Sequence, residues 1–293
     1  MEHLVKAIET SRPDISKQSV KTYLSILKNL YKKVFNNDEL DLKRFKETDK
    51  FLNYLKDLEP KKRKTILSAL VVITDDKAYR DQMLKDIEHY KVDTAKQEKT
   101  PEQEQSWVDT GDIMDLFNHL KVNATLLYKK KMLDMGDLQE IQNYIIIAIL
   151  GGIFIPPRRS KDYVDFKIKN VNKDEDNYIQ KNSLIFNSYK TSKTYSQQTI
   201  SCPPELMKIL KKWIKINPTE YLLFDRNGAK LTNVKMTQRL NKLFGKKASV
   251  NQMRHTYLSD KYQNTIKQNQ EMAKDMADMG SSQAQQKIYI KKE

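Results

Sequence analysis

Apolar residues recur along the first third of the chain with the period of helices. From Val20 they fall at Tyr23, Leu24, Leu27, Leu30, Tyr31 and Val34, the i, i+3, i+4, i+7 spacing of one buried face. Lys21, Lys28, Lys32 and Lys33 lie mostly off that stripe, and Asn36-Asn37-Asp38 predicts its end. A second short helix carries Phe51, Leu52, Tyr54, Leu55 and Leu58 and stops before Pro60. A third carries Ile66, Leu67, Leu70, Val71 and Ile73, and a fourth spans Lys77 to Tyr90. The apolar signal then vanishes from Thr94 to Gln105. That loss predicts a helical domain over 1–93, a linker over 94–105 and a second domain over 106–293.

The second domain opens on a helix with Ile113, Leu116, Phe117 and Leu120. The next runs from about Asp137 to Leu150. Its second half, Ile145 to Leu150, is apolar all round and predicts the centre of the core. Gly151-Gly152 ends it, and Pro156-Pro157 forces an extended turn before Arg158-Arg159. Three segments then read as strands: Tyr163 to Ile168, Ser183 to Phe186 and Gln198 to Ser201. A polar turn, Tyr189 to Thr194, joins the last two and carries Lys190 and Lys193. Pro203-Pro204 opens a helix with Leu206, Ile209, Leu210, Trp213 and Ile214. Leu222-Leu223-Phe224 reads as a short strand before a turn at Asp225 to Gly228, and three or four helices finish the chain. The expected fold class is mainly α with a small antiparallel β-sheet (α+β).

Charge changes the picture more than composition does. The chain of 293 residues has 53 basic and 38 acidic residues, a formal charge of +15. Such an excess favours polyanionic partners, nucleic acid first. A lysine-rich helical scaffold is the plain alternative. Lys61, Lys62, Arg63 and Lys64 open a helix against its macrodipole, and phosphate contact is one reason for such a cluster. No apolar run is long enough to span a membrane, and no secretory signal is visible. One cysteine, Cys202, cannot pair within the chain and fits a reducing, intracellular compartment.

Several chemistries are missing from the sequence. It has no phosphate-cradling glycine loop, no nucleophile elbow and no metal-ligand spacing, and its four histidines are scattered. No metal or cofactor is expected. What the sequence does contain is an ordered set: Arg159 after the core helix, Lys190 or Lys193 in the hairpin, Arg254 on a late helix and Tyr289 near the end. Metal-free phosphoryl transfer from DNA uses such a set. Two guanidiniums clamp the non-bridging oxygens of the transition state. A lysine protonates the leaving oxygen, and a tyrosine oxygen attacks phosphorus.

These stretches resemble the tyrosine recombinase, or phage-type integrase, family. Pro156-Pro157-Arg158-Arg159-Ser160-Lys161-Asp162-Tyr163 resembles its first arginine box, with Arg159 the better match and Arg158 the fallback. Tyr189-Lys190-Thr191-Ser192-Lys193 resembles the hairpin lysine motif. Asn251-Gln252-Met253-Arg254-His255-Thr256-Tyr257 resembles the second arginine box. Met279-Gly280-Ser281-Ser282 followed by Tyr289 resembles the nucleophile segment. The resemblance implies catalytic roles for Arg159, Lys190, Arg254 and Tyr289, and a helical core-binding domain that clamps double-stranded DNA. It also implies a covalent 3′-phosphotyrosine intermediate, a homo-tetramer on two duplexes, and a viral or mobile-element setting. Asn251 and Ser281 stand where the family usually has a histidine and a histidine or tryptophan. They keep hydrogen bonding but not acid-base capacity near neutral pH. His255, on the same helix, is a candidate supporting group. Two further readings share the chemistry or the fold: a type IB topoisomerase, and a DNA-binding protein that has lost catalysis.

Overall fold

The structure is a computed structural model that describes residues 2–279. The chain folds as two compact units, Met1–Lys99 and Thr100–Glu293. That division falls inside the polar stretch where a linker is expected. The stretch is partly helical itself.

The first unit is all helical. It contains α1 (Glu2–Ser11), α2 (Lys17–Phe35), α3 (Thr48–Leu55), α4 (Pro60–Thr74) and α5 (Lys77–Ala95), with a 3-10 turn at Leu42–Lys46. Local chemistry sets the ends. Ser16 accepts from the Ser19 amide to start α2, and Asn36 ends it in the left-handed region at φ 50°. Asp76 caps α5, which runs past Tyr90 to Ala95. Val20, Leu27, Leu30 and Tyr31 of the α2 stripe are buried against Phe45, Phe51, Leu67 and Leu70. Tyr79 donates its hydroxyl to the Phe45 carbonyl at 2.8 Å inside this core.

The second unit holds α6 (Pro101–Ser106), α7 (Thr110–Leu127), α8 (Met135–Leu150), α9 (Ser160–Val164), α10 (Ser192–Tyr195), α11 (Pro204–Ile216), α12 (Asn233–Phe244) and α13 (Val250–Asp278). Strands β1 (Tyr178–Gln180), β2 (Ser183–Phe186) and β3 (Gln198–Ser201) form one antiparallel sheet in the order β1-β2-β3. The fold is therefore mainly helical with a small antiparallel sheet. Every residue of α8 from Ile141 to Leu150 is buried. Gln142, within that run, donates to the Phe224 carbonyl and accepts from the Phe224 amide, both at 2.8 Å. A side-chain amide thus closes a backbone edge that would otherwise lie unsatisfied in the core. Trp213 stacks on Phe224 at 5.7 Å and donates to the Leu222 carbonyl. No described helix is long and apolar enough to cross a membrane.

Two expectations need correction. Tyr163 to Ile168 is not a strand. Ser160–Val164 forms the short helix α9, and only Phe166 and Lys167 make isolated bridges, to Asn177 and Tyr221. Adjacent Tyr163 and Val164 are both buried, which a half-buried strand with alternating faces would not allow. The third strand is instead Tyr178–Gln180, too short and too polar in context to show a period. Leu222-Leu223-Phe224 is core but forms no strand, since Phe224 makes only an isolated bridge to Lys230. After Asp225 the described residues contain two helices, α12 and α13.

Candidate functional site: an arginine cluster beside the sheet

The cluster is built where the end of α8 meets the start of α13. Gly152 has a φ of +75°, and a Cβ placed on it would lie 2.7 Å from the Tyr257 ring. Glycine permits both the turn and the close approach, so α13 packs against the chain just before Pro156-Pro157. Three contacts fix the first turns of α13. Ser249 caps it by accepting from the Gln252 amide at 3.2 Å. The Gln252 side chain donates to the Ser106 hydroxyl. Thr256 donates to the Val108 carbonyl at 2.6 Å, buried. Met253 is fully buried, so Arg254 beside it is held half-buried rather than free in solvent.

The two arginines of the first box have different surroundings. Arg158 donates from Nε to Asp162 Oδ2 at 2.9 Å and from Nη1 to Gln198 Oε1 at 2.6 Å. Its guanidinium lies 4.1 Å from the Phe186 ring centre and 5.0 Å from that of Tyr189. Arg158 therefore joins α9 to both strands of the β2–β3 hairpin. Arg159 N-caps α9, and its guanidinium has no hydrogen-bond or ion-pair partner among the described residues. Asp162 sits one turn along from both arginines, almost wholly buried, with Oδ1 unpartnered.

The electrostatics connect the two boxes. Burial pushes the Asp162 carboxyl above its ordinary value, and Arg158, Arg159 and Arg254 all pull against that shift. Burial pushes the Arg254 guanidinium down, the Arg159 charge adds to the fall, Asp162 opposes it and Arg158 adds a smaller push. Asp162 is held directly by Arg158 alone, with Arg159 and Arg254 acting on it only through space. The surplus positive charge rests on Arg159 and Arg254, neither of which has a salt-bridge partner among the described residues. An anion with several oxygens would satisfy both.

The other sequence candidates are distributed unevenly. Lys190 and Lys193 are exposed on the β2–β3 connection, which contains the one-turn helix α10 rather than an open turn. Lys190 follows Tyr189, which lies buried beneath Arg158 and donates to the Ser196 carbonyl at 2.6 Å. Asn251 and His255 lie on one exposed face of α13, with Asn251 Nδ2 3.2 Å from His255 Nε2. Ser281 and Tyr289 lie outside the described residues. In the first unit, Arg63 is fixed by Asp86, donating at 2.8 and 2.7 Å, and by the Lys56 carbonyl at 2.7 Å. Lys64 sits 3.4 Å over the Tyr90 ring, and Lys62 pairs with Glu59. Helix packing accounts for Arg63, so phosphate contact is not needed to explain it. Sequence reasoning does not single out Asp162 or Gln198. Asp162 has a legible signal, four residues after one arginine and three after the next, on one helical face. Gln198 has none, because its partner lies across the hairpin.

No family model matches the chain, and no curated protein matches it. Among solved structures, the chain is similar in fold to a lambda integrase dimer bound to a COC′ core site. That match has 12% identity and a TM-score of 0.44, over 88% of this chain and 69% of the other. It is also similar to a lambda integrase(75-356) dimer bound to a COC′ core site, with 12% identity and a TM-score of 0.45, over 91% of this chain and 90% of the other. At 12% identity, such a likeness does not bear on side-chain chemistry.

Proposed function

We propose that the chain is a DNA strand-cleaving and rejoining enzyme of the recombinase kind. The observation that carries this reading is the unpaired couple Arg159 and Arg254, drawn together from two elements and backed by a buried carboxylate. In the proposed reaction the two guanidiniums hold the non-bridging oxygens of a scissile phosphate as negative charge builds in the transition state. The Tyr289 hydroxyl gives its proton to solvent as its oxygen attacks phosphorus, the bond to the 5′-oxygen breaks, and Lys190 gives that oxygen its proton. The product is a 3′-phosphotyrosyl link that the reverse step reseals. Lys190 is preferred to Lys193 because its neighbour Tyr189 is fixed against Arg158. Under this reading the first unit grips the duplex, with the exposed lysines Lys61 and Lys62 on the phosphates. A tetramer on two duplexes and a mobile-element setting belong to the same proposal.

The test is a suicide-substrate gel with wild type and Tyr289→Phe. A covalent adduct in the wild type that is lost in Tyr289→Phe supports the reading. An adduct that survives in the variant removes Tyr289 from the mechanism. One observation favours a second reading, a binding protein without catalysis. Asn251 stands where an acid-base group would be useful, and its amide is engaged by His255. That reading predicts salt-dependent DNA retention with no adduct from either protein.

A further inference from the structure

Helix α11 carries a charged face that the arginine cluster does not use. Lys208, Lys211, Lys212 and Lys215 fall at i, i+3, i+4 and i+7, so they share one side of the helix, and all four are exposed. The opposite side, Leu206, Met207, Leu210 and Trp213, is buried in the core. That burial fixes which way the lysines face. None of the four forms an ion pair among the described residues. Lys211 reaches only the Asn182 side-chain oxygen, at 3.4 Å, and Lys212 rests on the Tyr128 ring at 3.8 Å. Glu205, the one acid of α11, lies in its first turn and pairs with none of them. Like charges three and four residues apart repel along a helix, and no described carboxylate offsets them here. Asn182 belongs to the β1–β2 turn, where Lys181 is also exposed. A groove of about 570 Å³ follows the stripe, with Asn182 and Cys202 in its lining.

The stripe lies at the opposite end of the sheet from the arginine cluster. Ser183, next to Asn182, pairs with Ser201, whereas Arg158 touches Phe186 and Gln198, the pair at the other end of the same hairpin. What the stripe contains and lacks defines its partner. Lys208 to Lys215 spans about 10 Å of helix, so a repeating polyanion, not one small anion, can meet all four. Protein interfaces centre on aromatic or aliphatic anchors and are depleted in lysine, and α11 exposes no large apolar side chain. Single strands stack their bases on aromatic rings, but Tyr128 is covered by the Lys212 ammonium. Flexible point charges without a base-reading fork suit phosphates alone. We propose that the lysine face of α11 is a second nucleic-acid surface, which holds the phosphate backbone of duplex DNA without reading its sequence. This surface goes beyond strand cleavage and needs neither Tyr289 nor the arginine cluster.

The full chain is footprinted by lysine acetylation and mass spectrometry while duplex DNA of arbitrary sequence is titrated in. Lys208, Lys211, Lys212 and Lys215 should be protected together at low salt. The affinity read from their protection should fall with salt at a log–log slope of about −3 to −4, four phosphate contacts at about 0.9 each. In a Lys208→Gln, Lys215→Gln double variant, protection of Lys211 and Lys212 should need about tenfold more duplex, and the slope should be shallower by about 2. The matching Lys208→Arg, Lys215→Arg variant should restore both, which a merely structural role for these exposed side chains would not predict. Tyr289→Phe and Arg159→Ala should keep the footprint. Its loss would therefore leave the strand-cleavage reading standing, and a missing covalent adduct would leave the footprint standing. Lysines that stay reactive while duplex is bound elsewhere, or a slope unchanged in the glutamine variant, overturn the proposal and leave the stripe a solvated face. Equal protection by polyglutamate at the same ionic strength also overturns it, in favour of an acidic protein partner.

Discussion

Arg158 Nε lies 2.9 Å from Asp162 Oδ2, and it is Arg158 so held, rather than Arg159, that fastens the arginine box to the sheet through Gln198 and Phe186. Both partners are largely buried, with side-chain exposures of 14% and 2%. Of two adjacent arginines, one is therefore committed to the fold and the other is left uncompensated.

Arg158→Met should cost about 3 kcal/mol of stability, the effect of stranding one member of a buried ion pair. The cost should depend on pH in a definite direction. Burial raises the folded Asp162 carboxyl above its unfolded value. Its contribution therefore falls as pH rises between those two values and is flat above the upper one. Without Arg158 the folded value rises further and the window widens upward. Urea denaturation should show the deficit of Arg158→Met shrinking as the pH falls from neutrality into the acid range, where the Asp162 carboxyl is protonated in the folded state. A deficit that grows with acid would contradict the assignment.

Arg159→Ala and Arg254→Ala should behave in the opposite way. Each removes a cation that repels the other, so neither should lower the melting temperature by more than a degree or so, equivalent to less than about 0.5 kcal/mol. Each should slow single-turnover DNA cleavage by about 100-fold or more, the cost of losing one transition-state donor. Melting curves and quench-flow cleavage on the same preparations separate the two effects. A large loss of stability in either variant would mean the side chain is structural.

Gln142→Leu keeps the volume of α8 apolar but leaves the Phe224 amide and carbonyl unmet. Two buried orphans should cost about 2–5 kcal/mol. The same variant should speed hydrogen exchange at the Phe224 amide, which heteronuclear NMR reads directly. A neutral outcome would require the Asp225 turn to rearrange.

Cys202 is the chain's only thiol, 7% exposed, and burial pushes its pKa up. It should react slowly with a thiol reagent in the native state and quickly once the second unit opens. Its labelling rate under increasing urea then reports that unit by itself, and should follow the Gln142→Leu deficit.

Periodicity reveals the helices well because their burial is one-sided. The α2 stripe and the all-apolar half of α8 are where expected, since a 3.6-residue pattern and an unbroken apolar run each leave few arrangements open. The sheet is harder to read. β2 and β3 carry enough apolar residues to be seen, whereas β1 is three residues placed by the partners it finds, not by its own pattern. Arg159 and Arg254 are legible as an ordered pair, but their unequal neighbours are not. That Arg158 is consumed by Asp162, Gln198 and Phe186 depends on contacts across a hairpin. Likewise, Arg63 reads as a phosphate-facing residue until Asp86, on the next helix, is seen to hold it.

The Gln142–Phe224 contact also bears on the order in which the protein can be made. The first unit ends at Lys99, and its helices find all their core partners within that span. It can consolidate while the rest of the chain is still being translated. The second unit cannot. Its central helix is complete at Leu150, yet the backbone edge that satisfies Gln142 is not synthesised until Phe224. Until then α8 has α7 to pack against, through pairs such as Phe117 and Tyr144, but neither α11 nor the Phe224 edge that completes its burial.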